Sequence, residues 1–243
     1  MGCFQGQVAV VTGASSGIGR AIALDFAGHG AEVCLVARRE DLLKSVAQEA
    51  AAMGGLAHVH ATDLTSDEAI QLLAANIQKN FAHVNLLVLC GGAISHSTTE
   101  QGRVEDFDLQ YRSNLRAPYA LVQVLLPLLR RQQGQIVFIN SSVATRQSGK
   151  GVGQFTATQH ALRAIADSLR DEVNADGIRV LSVYPGRTAT ERMAKLAEQE
   201  GRAYLPELLI QPQDLATMVS QALCLPRTVE VTDIRMRPMK KSY

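Results

Sequence analysis

The stretch from Val8 to Leu24, VAVVTGASSGIGRAIAL, constrains this chain more than any other. Residues 8–11 form an apolar run long enough for one buried strand. Thr12, Gly13, Ala14, Ser15, Ser16, Gly17, Ile18 and Gly19 follow, and then an amphipathic helix with Ile18, Ile22 and Phe26 spaced four apart. Glycines let the backbone turn tightly and approach another group closely. The unpaired N–H groups at the start of the helix, helped by the helix dipole, then face an anion. The glycine pattern carries weight because it sits between a strand and a helix.

The rest of the chain repeats the alternation. Strand-like apolar runs are read at 33–36, 57–61, 86–89, 136–139, 178–183 and 231–236. Between them, helices are expected over 40–53, closed by Gly54 and Gly55, and from the cap Ser66 to about Phe81. A long helix is expected over 104–131, bent near Pro118 and Pro127, and another over 153–175, followed by Gly177. Strands alternating with helices predict right-handed βαβ units, so the fold class is a doubly wound parallel α/β sheet of about seven strands with helices on both faces. No Pro- or Gly-rich linker divides the chain, which is read as one domain over 1–243.

Composition narrows the function classes. A net charge of +1 gives no electrostatic reason to expect nucleic acid or an anionic membrane surface. No apolar run approaches the ~18 residues of a membrane span, and the N-terminus MGCFQGQ lacks the pattern of a secretory signal. Gly6 stands where a myristoylation motif expects Ser or Thr. Cys3, Cys34, Cys90 and Cys224 show no paired spacing, so buried reduced thiols in a cytoplasmic protein are the default expectation. No metal-ligand set is read.

The glycine turn has a wider form than the usual G-x-G-x-x-G of dinucleotide folds. As T-G-x-x-x-G-I-G over 12–19, it resembles the glycine loop of the short-chain dehydrogenase/reductase family, and matches to that family continue along nearly the whole chain. In dinucleotide folds a carboxylate ending the second strand holds the adenosine ribose hydroxyls. Here Arg38 and Arg39 stand there, with no acid until Glu40. A carboxylate repels a 2′-phosphate, whereas an arginine binds it with a fork of donors, so NADP(H) is the expected cofactor. Ser15 and Ser16 can donate to the same phosphate. The resemblance implies adenine contacts at Asp63 and Leu64, and cofactor ribose contacts at Cys90, Gly91 and Gly92, where the family usually reads Asn-Asn-Ala-Gly. It also places Pro185, Gly186, Thr188 and Thr190 in a P-G-x-x-x-T segment beside the nicotinamide carboxamide.

The same resemblance sets a catalytic expectation that the chain meets only in part. The family's reaction moves a hydride between the nicotinamide and a carbonyl or alcohol carbon, with a Tyr as proton donor, a Lys that lowers its pKa, a Ser and an Asn. Asn114, in SNLRAP, matches the Asn segment. In Asn140-Ser141-Ser142, counting from Ile136 favours Ser141 and counting back from the next helix favours Ser142; Ser141 is preferred. The Tyr and Lys positions of Y-x-x-x-K-x-A-L fall on Phe155 and Gln159 in FTATQHAL. Phe has no proton to give. Gln159 can bond a ribose hydroxyl but cannot lower a neighbouring pKa by charge. His160, with Thr156 four residues before it, and Tyr111, Tyr119 and Tyr184 remain as other donors.

Two functions follow. One is an oxidoreductase for a small carbonyl or alcohol substrate with a non-standard active site. The other is a catalytically inactive NADPH-binding partner subunit or sensor. Residues 191–210, with Met193, Leu196, Tyr204, Leu205, Leu208 and Leu209, read as a substrate lid of one or two helices. The resemblance further implies a homodimer or homotetramer packed through the helices over 104–131 and 153–175. Leu121, Val124, Leu125, Leu128 and Leu129 are taken as apolar positions beyond what one sheet face needs.

Overall fold

A computed structural model of the chain describes residues 2–146 and 149–240. The apolar runs become β1 (Val8–Thr12), β2 (Glu32–Ala37), β3 (Leu56–Ala61), β4 (Leu86–Leu89), β5 (Gln135–Ile139), β6 (Arg179–Pro185) and β7 (Asp233–Met236). They pair in one parallel sheet of order β3-β2-β1-β4-β5-β6-β7. Strand order reverses between β1 and β4, and the cleft outside the carboxyl ends of strands at such a switch is where doubly wound sheets bind ligands.

Successive strand residues point to opposite faces, and both faces are covered. On one side Val11, Leu35 and Val88 pack with α1 (Gly17–Gly28), α2 (Glu40–Ala52) and α8 (Pro212–Leu223). On the other, Val10, Leu87 and Phe138 pack with α3 (Asp67–Asn80), α5 (Ala117–Arg130) and α6 (Gly153–Val173). Several local signals act as read: Ser66 accepts from the Ala69 N–H to cap α3, and Gly54 and Gly177 take positive φ after α2 and α6. The helix α8 is not among the expected elements; Pro212 in its first turn and the reciprocal capping of Gln211 and Asp214 start it.

The long helix over 104–131 differs from expectation. It divides into α4 (Val104–Tyr111), a π-helical turn over Arg112–Arg116, and α5. The irregularity lies ahead of the prolines rather than at them. Pro118 sits in the first turn of α5 and has no N–H for the Asn114 carbonyl four residues back, while the Ala117 N–H reaches back five residues to Arg112. The apolar positions assigned to an oligomer face are also mostly spent inside the chain: Leu121, Leu125, Leu128 and Leu129 are buried against the sheet, with Val124 partly so. The large apolar side chains left exposed on α4 and α5 are Val104, Phe107, Leu109, Tyr111 and Tyr119.

The expectation of four reduced thiols fails for one pair. Cys3 and Cys224 form a disulfide across 221 residues of sequence, tying the N-terminal turn to the end of α8. Tertiary proximity of two remote helix and turn ends created this pairing, which spacing along the chain cannot reveal. Cys34 and Cys90 are free, and burial pushes both thiols up to about 12.

Candidate active site

The glycine turn lies at the mouth of the β1–β4 switch. Gly13 has φ +65°, and a Cβ there would stand 2.9 Å from the Cys90 carbonyl oxygen, so only glycine lets these two strand ends meet. A Cβ on Gly19 would collide with the Gly13 carbonyl, so α1 can seat this closely on β1. Thr12 clips the floor together: its hydroxyl donates to the Val88 carbonyl at 3.3 Å and accepts from the Cys90 N–H at 2.9 Å. Ser16 is the N-cap of α1 but makes no side-chain cap bond, in contrast to Ser66 on α3. The first N–H groups of α1 therefore face the cleft without a capping side chain, the arrangement that takes a phosphate.

At the end of β2, Arg38 and Arg39 are both exposed. The Arg39 guanidinium donates to Ser16 Oγ at 3.3 Å, joining the β2 end to the glycine turn. Asp63, after β3, turns inward on its own loop: Oδ1 accepts from the Thr65 N–H at 3.0 Å and the Thr65 hydroxyl at 2.8 Å. These bonds and the nearby Arg38 hold its carboxyl below the usual range. Leu64 packs at the edge of the second core cluster.

The deeper end of the cleft is built from the π-helical turn and α6. Asn114 is buried, donates to the Ala93 carbonyl at 2.8 Å and to Thr158 Oγ1 at 3.1 Å, and accepts from the Ala93 N–H at 2.6 Å. It thus joins the loop after β4 to α6. Thr158 donates in turn to the Phe155 carbonyl at 2.8 Å. Phe155 is half-buried in the first turn of α6, and Gln159 is buried one turn later. Asn140, after β5, donates to the Gln159 carbonyl at 3.1 Å and accepts from the Ser141 N–H. Ser141 caps the short 3-10 turn over Ser142–Thr145, its hydroxyl accepting from the Val143 N–H.

The segment after β6 returns to the front of the cleft. Thr190 caps α7 (Glu191–Gln199), accepting from the Met193 N–H, and a Cβ on Gly17 would stand 3.1 Å from the Thr190 methyl. Arg192, in the first turn of α7, donates to the Gly92 carbonyl at 2.6 Å. Beyond α7 the segment holds one 3-10 turn, Pro206–Leu208, and returns to pair Ile210 with Thr188. Glu200 faces both Arg202 and His96, and the Tyr204 hydroxyl lies 3.5 Å from the Thr190 carbonyl. Pro185 ends β6 against Met236, and the Gly186 N–H donates to the Met236 carbonyl.

The profile of the short chain dehydrogenase family matches residues 7–201. The chain belongs to that family. A Staphylococcus epidermidis protein described as an uncharacterized oxidoreductase is 31% identical over 233 residues, 96% of this chain and 97% of its own. Glycine betaine reductase ATRR of Emericella nidulans is 31% identical over 98% of this chain, which spans only 19% of that larger protein. Among solved structures, L-sorbose reductase from Gluconobacter frateurii, complexed with NADPH and L-sorbose, superposes with a TM-score of 0.89 at 27% identity over the whole of both chains. A metagenomic short-chain oxidoreductase in complex with NADP superposes with a TM-score of 0.85 at 29% identity, over 98% of this chain and 100% of that one.

The protein is thus a short-chain dehydrogenase/reductase (SDR) type oxidoreductase, and the fold expected from its glycine turn is the one found. The cleft of this SDR brings together the glycine turn, Arg39, Asn114 and Thr190 from four separate elements. Other candidates lie elsewhere. His160 and Thr156 line an open groove between α6 and the Ser142–Thr145 turn with Arg163 and Arg146. Tyr184 is fully buried, with the Arg163 guanidinium 5.9 Å from its ring centroid, and burial raises its phenol. Tyr111 and Tyr119 are exposed on α4 and α5. Two residues of the cleft carry no assignment from the sequence: Thr158 and Arg192. Only the first carried a signal, a hydroxyl one position before Gln159 in the matched motif.

Proposed function

We propose that this chain binds NADP(H) and uses it to interconvert a small carbonyl compound and its alcohol through an active site lacking the family's tyrosine and lysine. The observation that carries the cofactor choice is the Arg39–Ser16 bond at the end of β2, where no carboxylate precedes Glu40. A guanidinium already fastened to the glycine turn is placed for a 2′-phosphate. The cleft fits a dinucleotide: Gly13 and Gly19 open the turn, and uncapped α1 N–H groups face it. When bound, the cofactor supplies or accepts the hydride.

The chain's own residues orient and shield. Gly13, Ser15, Ser16, Gly17, Ile18 and Gly19 hold the phosphates, Arg38 and Arg39 the 2′-phosphate, and Asp63 and Leu64 the adenine. Cys90, Gly91, Gly92 and Gln159 flank the nicotinamide ribose, while Pro185, Gly186, Thr188 and Thr190 edge the nicotinamide. Ser141 orients the substrate oxygen, and Asn114 holds the cleft's inner wall. Phe155 fills the ring volume of a tyrosine without a proton, so turnover is slow or the oxygen takes its proton from water, His160 or the substrate itself. The buried, uncharged Gln159 supports the second reading, a nucleotide-binding subunit without catalysis.

The exposed Phe107, Tyr111 and Tyr119 on α4 and α5 favour a homo-oligomer, dimer or tetramer, which light scattering tests against a monomer at micromolar concentration. No helix of the described residues is long and apolar enough to cross a membrane. Cytoplasmic residence draws support from free Cys34 and Cys90 and is opposed by the Cys3–Cys224 disulfide, since such bonds are rare in a reducing compartment. The deciding experiment measures NADPH binding directly, beside NADPH oxidation over a broad panel of ketones and aldehydes. Binding with slow turnover supports the enzyme; binding with none across the panel supports the subunit; no binding overturns both.

A further inference from the structure

Arg192 is the one cleft cation on the lid, and its surroundings suit an anion better than the group it touches. The first turn of α7 spans the cleft mouth. At one side Thr190 rests on Gly17 of the glycine turn; at the other the Arg192 guanidinium donates to the Gly92 carbonyl at 2.6 Å. Beneath them Gly13 and the Cys90–Gly91 link are in near contact, so the two anchor points are neighbours across the β1–β4 switch. Arg192 is an exposed residue, and desolvation where it meets the cleft lowers its affinity for the proton, with Cys90 acting the other way. Among the described residues no carboxylate compensates it: its recorded partner is a neutral carbonyl. A guanidinium presents five donors, and one neutral acceptor leaves the others available to an anion.

We propose that Arg192 binds the diphosphate bridge of the dinucleotide, and that this ion pair fastens the lid helix over the cleft. The inference rests on the nucleotide-binding reading above. Two features choose the diphosphate over other anions. The uncapped N–H groups at the start of α1 face the same opening from below, and Thr190 against Gly17 sets the lid within side-chain reach of them. A diphosphate offers oxygens in both directions, to the helix N-terminus on one side and to a guanidinium fork on the other. A phosphate oxygen outcompetes the Gly92 carbonyl for the same N–H because the bond is then charge-assisted. The binding energy of the cofactor is thereby coupled to the position of residues 191–199, which cover the substrate. The 2′-phosphate stays with Arg39 on the far side of the glycine turn.

The test uses three ligands on the full chain: NADPH, 2′-phospho-ADP-ribose, which keeps the diphosphate without the nicotinamide, and adenosine 2′-monophosphate, which lacks it. Calorimetric titration of Arg192→Ala is expected to weaken the first two by roughly 10- to 100-fold, as for one charged hydrogen bond, and to leave the third unchanged. Arg192→Lys recovers part of the loss. In limited trypsin digestion, 2′-phospho-ADP-ribose protects Lys195 and Arg202 in the parent protein but not in Arg192→Ala. Unchanged affinity for the diphosphate ligands in Arg192→Ala overturns the proposal and leaves the cofactor reading standing. Equal loss for all three ligands overturns it too, as a general disturbance of the fold. Failure of every ligand to bind the parent protein overturns the cofactor reading itself.

Discussion

Asn114 and Thr158 meet across the inner wall of the cleft, with the Asn114 amide donating to Thr158 Oγ1 at 3.1 Å. The same side chain holds Ala93 by both its N–H and its carbonyl. One residue in a π-helical turn thus ties the loop after β4 to α6. The π turn is what aims it there, since Pro118 removes the ordinary helical bond to the Asn114 carbonyl.

Removing that amide should be costly. Asn114→Ala leaves the Ala93 backbone groups without their side-chain partner in a buried place, at a cost of about 1–3 kcal/mol. Urea denaturation measures it. Thr158→Val in the Asn114→Ala background should add less than it does alone, because the partners share one network. Additive losses would mean that the bond is not a stabilising contact.

Arg39 should contribute more than Arg38 to cofactor choice. Arg39 is fastened to Ser16, whereas Arg38 lies beside Asp63 and lowers its carboxyl. Arg39→Ala is expected to weaken NADPH by about 1.5–3 kcal/mol, the range for a bond to a charged group, and to leave NADH unaffected. Arg38→Ala should cost less. Titration with both nucleotides decides; equal affinity for NADPH and NADH in the parent protein would remove the 2′-phosphate argument.

On the proposed active site, introducing a proton donor should raise activity. Phe155 and Gln159 lie one turn apart at the start of α6, with Thr158 bonded between them. Phe155→Tyr with Gln159→Lys supplies a phenol and a neighbouring cation, and general acid catalysis contributes roughly 10²–10⁴-fold. Phe155→Tyr alone should give less, because without the lysine its pKa stays near ~10. Turnover of NADPH on one ketone panel compares the three proteins. A parent enzyme that is already fast, and slowed by the double change, would show that another donor serves this site.

Opening the disulfide should loosen the sheet's α1–α8 layer. Cys3 and Cys224 close a loop of nearly the whole chain, and Phe4 beside Cys3 packs on Phe26 of α1 with ring centroids 4.7 Å apart. Loss of a bridge over so long a loop costs about 2–5 kcal/mol. Cys3→Ser, or reduction of the parent protein, should lower the unfolding free energy from urea denaturation by that amount. An unchanged midpoint with intact signal in a thiol count would mean that these cysteines are not bonded in solution.

Much of this protein is legible in sequence alone, and the reason is locality. The strands, the glycine turn, the Ser66 cap and the Gly54 and Gly177 helix ends all depend on residues within a few positions of one another. So does the absence of an acid between the end of β2 and Glu40, and the register that puts Phe155 and Gln159 at the start of α6. Other features depend on residues brought together from far apart. The π turn at Asn114 reflects Pro118 and a buried amide bonded to Ala93 and Thr158, so neither proline marks the break by itself. Cys3 finds Cys224 only because α8 packs on α1. His160, adjacent to Gln159 in the chain, is turned about 100° around α6 from it and is exposed where Gln159 is buried. Arg192 enters the cleft because α7 starts on the glycine turn, and that depends on where β6 delivers the chain. Short-range chemistry determined the fold and the expected cofactor loop; burial and the meeting of distant segments decided which polar side chains share the cleft.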